Sequence, residues 1–370
     1  MAVLLGIGWN TGQYPLLIPA KILRKSIVHM PDHILSRRDF LKLSGATLLS
    51  LFLSELHLDR VRAAPIPMQG RVVANSLIVR DAPAFSGSRV NSLPRDSELD
   101  IIEQVYGGVD GDYNRIWYRL GNKIYVYSGW VQPVNKVLNN LVTEIPEKGV
   151  LGEITIPYAD SVWAINRSPY PGPRLYYGTT HWIKALVMDQ RDGSPWYKVF
   201  DNLYNSHYYT RPEWMHVFSP EELAPLSPQV PENEKHIKIY LDHQLLLAFE
   251  WNVLVYAARV ATGQKNFESP TGWFRTFHKR PTYHMTGGAD DASVFDLPGV
   301  PWDSYITDSG VAIHGTYWHN DFGHPHSHGC INMAPQDAKW IYRWTLPTVP
   351  PGDSLTFEPG IGTRVLITQS

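Results

Sequence analysis

Only one cysteine occurs in 370 residues, so no disulfide can form within the chain. Cys330 is therefore a reactive thiol, an intermolecular link, or a small buried hydrophobe. No sign of charge dominates either: 33 Lys and Arg stand against 35 Asp and Glu, for a net charge of −2. That balance leaves no basic stripe, which excludes nucleic acid or another polyanion as the expected partner. Long apolar runs are scarce as well. The mostly apolar stretch 43–58 is interrupted by Ser44, Gly45, Ser54 and Glu55, and it falls short of the ~20 residues that span a bilayer. What the chain has in plenty is Trp (13), Tyr (20) and Pro (29), which with short β-branched runs points to strands, turns and peptide- or sugar-facing grooves rather than helical bundles. The length suits two or three domains.

The N-terminus reads as an address. Ser36-Arg37-Arg38-Asp39-Phe40-Leu41-Lys42 precedes the apolar stretch, and Val61-Arg62-Ala63-Ala64-Pro65 follows it. This resembles a twin-arginine export signal with a small-residue cleavage site. Residues 1–63 are accordingly expected to be an N-terminal extension and signal peptide. Met30 is the expected start, because it would bring the Arg pair near the beginning of the chain. The resemblance implies export to the periplasm or cell wall, with membrane contact only during passage.

Two stretches share one order of cues. In 70–134, Leu77-Ile78-Val79-Arg80 leads into the turn Asp81-Ala82-Pro83. Leu99-Asp100-Ile101-Ile102, Trp117-Tyr118-Arg119-Leu120 and Gly129-Trp130-Val131 then follow. In 150–218 a weaker copy runs through Ala164-Ile165-Asn166-Arg167, Trp182 to Val187, Trp196-Tyr197-Lys198-Val199 and Glu213-Trp214-Met215. Both resemble bacterial SH3-like wall modules. Most of these aromatics are expected in small-barrel cores, with a few exposed ones as candidates for holding peptidoglycan. Segments 135–149 and 219–234 read as linkers, the second a semi-rigid spacer rich in Pro and Glu.

From Lys235 the pattern changes again. Ile237 to Leu241, Leu245 to Glu250 and Val253 to Val260 alternate as strands, with a turn at Asp242-His243-Gln244. Later come Gly310-Val311-Ala312-Ile313-His314-Gly315-Thr316 and Ser327-His328-Gly329-Cys330-Ile331-Asn332. A thiolate is the working nucleophile, whereas a free thiol is mostly protonated near neutral pH. A histidine in hydrogen-bond reach takes that proton and returns it to a leaving amine. His314 closes an apolar run, as a residue at a strand end does. Gly315 permits close backbone approach, and Gly329 permits a tight turn whose N–H groups face developing charge. These are the parts of a cysteine acyl-transfer site.

The H-G-T and S-H-G-C-I-N motifs, with sixteen positions from His314 to Cys330, resemble the signature of L,D-transpeptidases. The likeness extends over most of 235–370, including Gln244, Ala261-Thr262-Gly263, Pro270-Thr271-Gly272-Trp273-Phe274 and Gly362-Thr363-Arg364-Val365. It implies a mainly β fold, a sandwich-type catalytic domain preceded by two small SH3-like barrels. It also implies Cys330 as nucleophile, His314 as general base and acid, the Gly315 carbonyl orienting the imidazole, and Ser327, His328 and Gly329 shaping the oxyanion loop. Ala261 stands where Ser is common in the family, and Asn332 where Arg is usual. Asn332 can brace the loop through its amide but supplies no positive charge. Segment 277–303 resembles the family's lid, with Tyr283 and Met285 as candidate groove residues or simple core. Pro335 to Tyr342 predicts a short helix with Pro in its first turn.

Histidines 314, 319, 324, 326 and 328 crowd one segment, but no zinc-type spacing appears, and Gly315, Gly323, Pro325 and Gly329 favour loop. No metal and no cofactor is expected, and His319, His324 and His326 are expected on a solvated loop. The implied partners are peptidoglycan stem peptides. Water as acceptor would make the protein an L,D-carboxypeptidase, and a vestigial site would leave a non-catalytic wall-binding protein. The diamino acid, the acceptor and the oligomeric state stay open at this level.

Overall fold

A computed structural model describes residues 68–108, 114–165, 170–288 and 294–369. The expected export signal, with Met30 and the Arg37-Arg38 pair, lies outside the described residues, as do Asn166, Arg167, Ser168 and Pro169 of the second repeat. The described chain is mainly β, with five sheets. No helix among the described residues is long and apolar enough to cross a membrane.

The first module pairs a three-stranded sheet (Met68–Val72, Glu98–Ile101, Val131–Val134) with a five-stranded one (Ser76–Arg80, Arg89–Pro94, Glu103–Tyr106, Ile116–Gly121, Ile124–Tyr127). Strict alternation drives this. In Ser76–Arg80 only Leu77 and Val79 turn inward, and in Glu98–Ile101 only Leu99 and Ile101. They meet Val72, Tyr118, Val126 and Val131 in one small core. The second module is a single seven-stranded sheet around Ile154, Leu175, Ile183, Tyr197, Val199 and Met215.

Neither connecting segment behaves as a spacer. Residues 135–149 lie along the second module, with Val137 N–H donating to Thr155 O (2.9 Å) and Asn139 N–H to Glu213 O (2.9 Å). In 219–234, Leu223 and Leu226 pack on the large C-terminal core, Val230 is buried, and Leu226 N–H donates to Arg343 O (2.9 Å). The prolines set local direction, but the apolar side chains between them decide where the segment lies.

The C-terminal region holds two five-stranded sheets facing one core. One comprises Val253–Arg259, Leu245–Glu250, Lys235–Tyr240, Arg364–Thr368 and Gly272–Arg275. The other comprises Ile331–Met333, Ala312–Gly315, Phe295–Tyr305, His278–Gly287 and Thr356–Phe357. Ile237, Ile239, Leu246, Val365 and Ile367 from the first meet Trp302, Ile313, Ile331 and Met333 from the second. Each such fully buried aliphatic contributes about 1.5–3 kcal/mol. The helix Pro335–Trp344 has Pro at its first turn and buries Ala338, Ile341, Tyr342 and Trp344 at three- and four-residue spacing. The segment expected as a lid is a long antiparallel hairpin, His278–Gly287 against Phe295–Tyr305.

Candidate active site

Strand register builds the site. Ala312 and Tyr305 stand opposite each other, as do Ile313 and Ile331, and His314 and Asn332. Because side chains alternate, Ile313 and Ile331 enter the core, which leaves Ala312, His314 and Asn332 on the other face. His314 thus lies on one strand, and Cys330 sits in the bend that leads into the strand paired with it.

His314 is buried, and its Nδ1 lies 3.0 Å from Gly315 O. A carbonyl can only accept, so Nδ1 carries the proton and Nε2 keeps its lone pair. Burial pushes the imidazole down to about 4, so it is neutral at pH 7. A Cβ on Gly315 would sit 2.7 Å from Pro301 Cγ, which explains the glycine after the histidine. Cys330 is half-buried, and its Sγ lies 3.8 Å from Gly310 O. Loss of water around the sulphur pushes the thiol up to about 11, with the Ala312 N–H opposing it. At neutral pH both groups are uncharged, so a nucleophile here needs a base to take the thiol proton rather than a standing thiolate.

The cysteine turn is latched from several sides. Ser327 Oγ donates to Cys330 O (2.5 Å) and accepts from Gly329 N–H (3.1 Å). Ser269 Oγ donates to Gly329 O (2.7 Å) and accepts from Gly263 N–H (2.9 Å). Gly329 has φ +111°, and a Cβ there would meet nothing closer than 3.7 Å, so the backbone angle, not space, calls for glycine. Ala261 and Asn332 exchange two backbone bonds (2.9 and 3.0 Å). Gln244 holds Thr262, accepting from its N–H (2.8 Å) and donating to its hydroxyl (2.7 Å). Exposed His328 stacks its ring edgewise near Phe267 (4.4 Å) and approaches Phe295 of the hairpin (5.8 Å).

The groove candidates lie further out. Tyr283 lines a cleft of about 270 Å³ with His181, Asp201 and Tyr208 of the second module, under the Arg280 guanidinium (4.5 Å). Met285 is half-buried on the same strand, opposite Leu297. A larger cleft of about 550 Å³, lined by Trp273, Arg275, Phe277, Asp308 and Arg364, includes neither His314 nor Cys330.

Three further residues escaped the sequence reading. His319 is 3% exposed rather than solvated. Its Nδ1 accepts from Asp321 N–H (3.2 Å), so its proton sits on Nε2, 3.0 Å from the Asn332 amide. A hydrogen bond there requires Asn332 to present Oδ1. Burial pushes His319 down to about 3, which keeps it neutral. His324 and His326 remain partly exposed, and both bond the buried carboxylate of Asp321 (3.1 and 2.8 Å). The one acidic residue in the run His319-Asn320-Asp321-Phe322-Gly323-His324-Pro325-His326 was the available signal. Asp303 is fully buried on the strand next to His314, and neither of its oxygens has a partner among the described residues. Burial raises its carboxyl well above the usual range, against the pull of Arg280, which favours its neutral form.

No curated protein matches this chain. Among solved structures, the Enterococcus faecium L,D-transpeptidase shares 21% identity over 36% of this chain and 50% of its own, at a TM-score of 0.30. A Mycobacterium smegmatis L,D-transpeptidase shares 17% over 44% and 73%, at 0.31. One from Xylanimonas cellulosilytica shares 25% over 36% and 60%, at 0.27. The chain spans about half the length of the first solved structures it matches. Residues 234–367, the part that carries His314, the loop after it and Cys330, match the family model of the L,D-transpeptidase (YkuD) catalytic domain.

Proposed function

We propose that the protein is an exported peptidoglycan L,D-transpeptidase acting through a Cys330 thioester. The observation that supports this most is that His314 and the Cys330 turn stand on two paired strands' adjoining ends, inside the segment that matches the family. His314 Nε2 takes the thiol proton as Cys330 Sγ attacks the carbonyl of the diamino acid at the third position of a donor stem. The Gly329 N–H is already committed to Ser327 Oγ, so the oxyanion draws on the neighbouring amides of His328 and Cys330. The C–N bond breaks, the leaving terminal D-amino acid takes the proton from His314, and a thioester remains. An amine from a neighbouring stem then attacks, His314 takes its proton, and the thiol is restored as the new amide forms. The free energy of the broken peptide bond is carried in the thioester, so no cofactor enters the cycle. The two β modules are read as SH3-like and the site of action as periplasm or cell wall.

Mass spectrometry of muropeptides incubated with the protein tests the reading. Cross-linked dimers are expected, and Cys330→Ala should abolish them. Loss of the terminal residue without dimers, even with added acceptor amine, would make water the acceptor. Unchanged products from Cys330→Ala would refute the thiol mechanism. A β-lactam of the carbapenem class should add its mass to Cys330. The raised thiol also predicts that alkylation of Cys330 by iodoacetamide accelerates about tenfold per pH unit, still rising as pH approaches about 11. A plateau near neutral pH would show a standing thiolate instead.

A further inference from the structure

The loop between the two catalytic motifs, 316–329, is held from outside the catalytic region. Asp321 is buried on it, and its carboxylate gathers four donors. Asn114 Nδ2 (2.9 Å) and the Tyr127 hydroxyl (2.5 Å) come from the first module, and His324 Nδ1 (3.1 Å) and His326 Nε2 (2.8 Å) from the loop itself. Beside it, Asn320 donates through its N–H to Gly129 O (2.8 Å) and through Nδ2 to Ser128 O (3.3 Å). Arg71 of the same module donates to Tyr317 O (2.7 Å). The approach is close enough that a Cβ on Gly129 would sit 2.7 Å from Asp321 Oδ1. The Gly-Trp-Val cue of the sequence therefore marks a contact with the catalytic loop.

The far side of the loop runs straight into the reactive turn. His326 and Ser327 N–H both donate to Thr262 O (2.9 and 3.0 Å), and Ser327 Oγ donates to Cys330 O (2.5 Å). The Asp321 backbone N–H also fixes the His319 tautomer that meets Asn332. One residue thus ties the first module to the Cys330 turn through its carboxylate and to Asn332 through its backbone N–H.

We infer that residues 68–134 form a working part of the active site, with Tyr127, Gly129 and Asp321 as positioning residues that set the Cys330 turn for acyl transfer. This rests on the transpeptidase reading for its kinetic test and on thiol reactivity alone for its second test. Displacing a reacting group by about 1 Å costs on the order of 100-fold in rate, so a loosened turn should show in turnover.

Tyr127→Phe, Gly129→Ala and Asp321→Asn are made in the full chain, singly, with Tyr127→Phe/Asp321→Asn as the double variant. Each single variant should lower kcat at least about tenfold with KM for the donor stem within about twofold. The double variant should be no slower than Asp321→Asn, because both cuts break one chain. Iodoacetamide alkylation of Cys330 at fixed pH should also change, by roughly threefold or more. Soluble, folded variants with wild-type kcat and wild-type alkylation would overturn the inference, and so would losses that add in the double variant or a rise in KM alone. If Asp321→Asn does not fold, Tyr127→Phe decides, since it removes one hydroxyl. If no variant, wild type included, shows transpeptidation, the activity reading fails and the alkylation rates still judge the positioning role.

Discussion

Gly129 and Glu213 occupy matching places in the two β modules. Each sits in a single-turn 3-10 helix, Ser128–Trp130 and Pro212–Trp214, that ends on a Trp and runs into a strand starting with a fully buried residue, Val131 or Met215. The Gly129 carbonyl accepts from Asn320 of the catalytic loop, whereas the Glu213 carbonyl accepts from Asn139 of the adjoining connector. The backbone device is the same, and the side chain at one position separates the outcomes. Glycine lets the loop 316–329 come within contact of the first turn, whereas the second turn meets the connector instead. The second module reaches the site elsewhere. Thr180 Oγ1 donates to Pro281 O (2.7 Å), and His284 bonds Asp201 (2.8 Å), so this module holds the hairpin instead of the cysteine loop. Its grip is mainly hydrogen bonds to carbonyls and one His–Asp pair. The first module's grip is a set of buried charges: Arg71 is 1% exposed and bonds Asp96 (2.8 Å), Gln132 (2.8 Å) and Tyr317 O (2.7 Å) while its guanidinium covers the Tyr176 ring.

That contrast can be broken by stability measurements. Arg71→Ala should cost about 3–5 kcal/mol in urea unfolding, since it strands Gln132 Oε1 and Tyr317 O and leaves Asp96 to Arg174 alone. A loss below about 1 kcal/mol would erase the distinction between the two grips. The strand Phe295–Tyr305, which pairs with both His278–Gly287 and Ala312–Gly315, carries its own pH dependence through Asp303. Its folded carboxyl is raised above the unfolded value. Above the unfolded pKa, near 4, the unfolded chain has lost a proton that the folded chain keeps. Stability therefore falls with rising pH, by about 1.4 kcal/mol per unit, until the folded group ionises. Asp303→Asn should remove that slope and stabilise the protein at pH 7 with no gain at pH 4; a gain equal at both pH values would contradict the neutral buried acid. The smallest effect is expected from Thr180→Val, about 1 kcal/mol. It should move KM for the donor, through the hairpin, and leave kcat unchanged. A fall in kcat instead would place the second module in the same positioning role as the first.

How much of this was legible depends on how far each residue's partner lies along the chain. The pieces around Cys330 could be read because local chemistry names them: glycine where φ is +111°, a histidine closing an apolar strand, a serine two residues from a turn amide. The alternating strands were legible for the same local reason, although the 219–234 segment was misjudged as a spacer because Leu223, Leu226 and Val230 were outweighed by the prolines around them. Asp321, His319 and Asp303 could not be read in that way. Asp321 and Tyr127 are 194 positions apart, and Arg71 and Tyr317 are 246 apart. An aspartate on a histidine-rich loop looks solvated until the module that buries it is in place.

By itself the sequence determined the mainly β character and the segment that matches the transpeptidase domain, and it singled out His314 and Cys330 as candidates, because periodicity and turn chemistry act over a few residues. Only the tertiary structure decided which state those groups hold. Burial, a property of the whole packing, lowers the His314 imidazole, raises the Cys330 thiol and the Asp303 carboxyl, and turns the Gly129 region from a repeat signature into a contact with the loop 316–329.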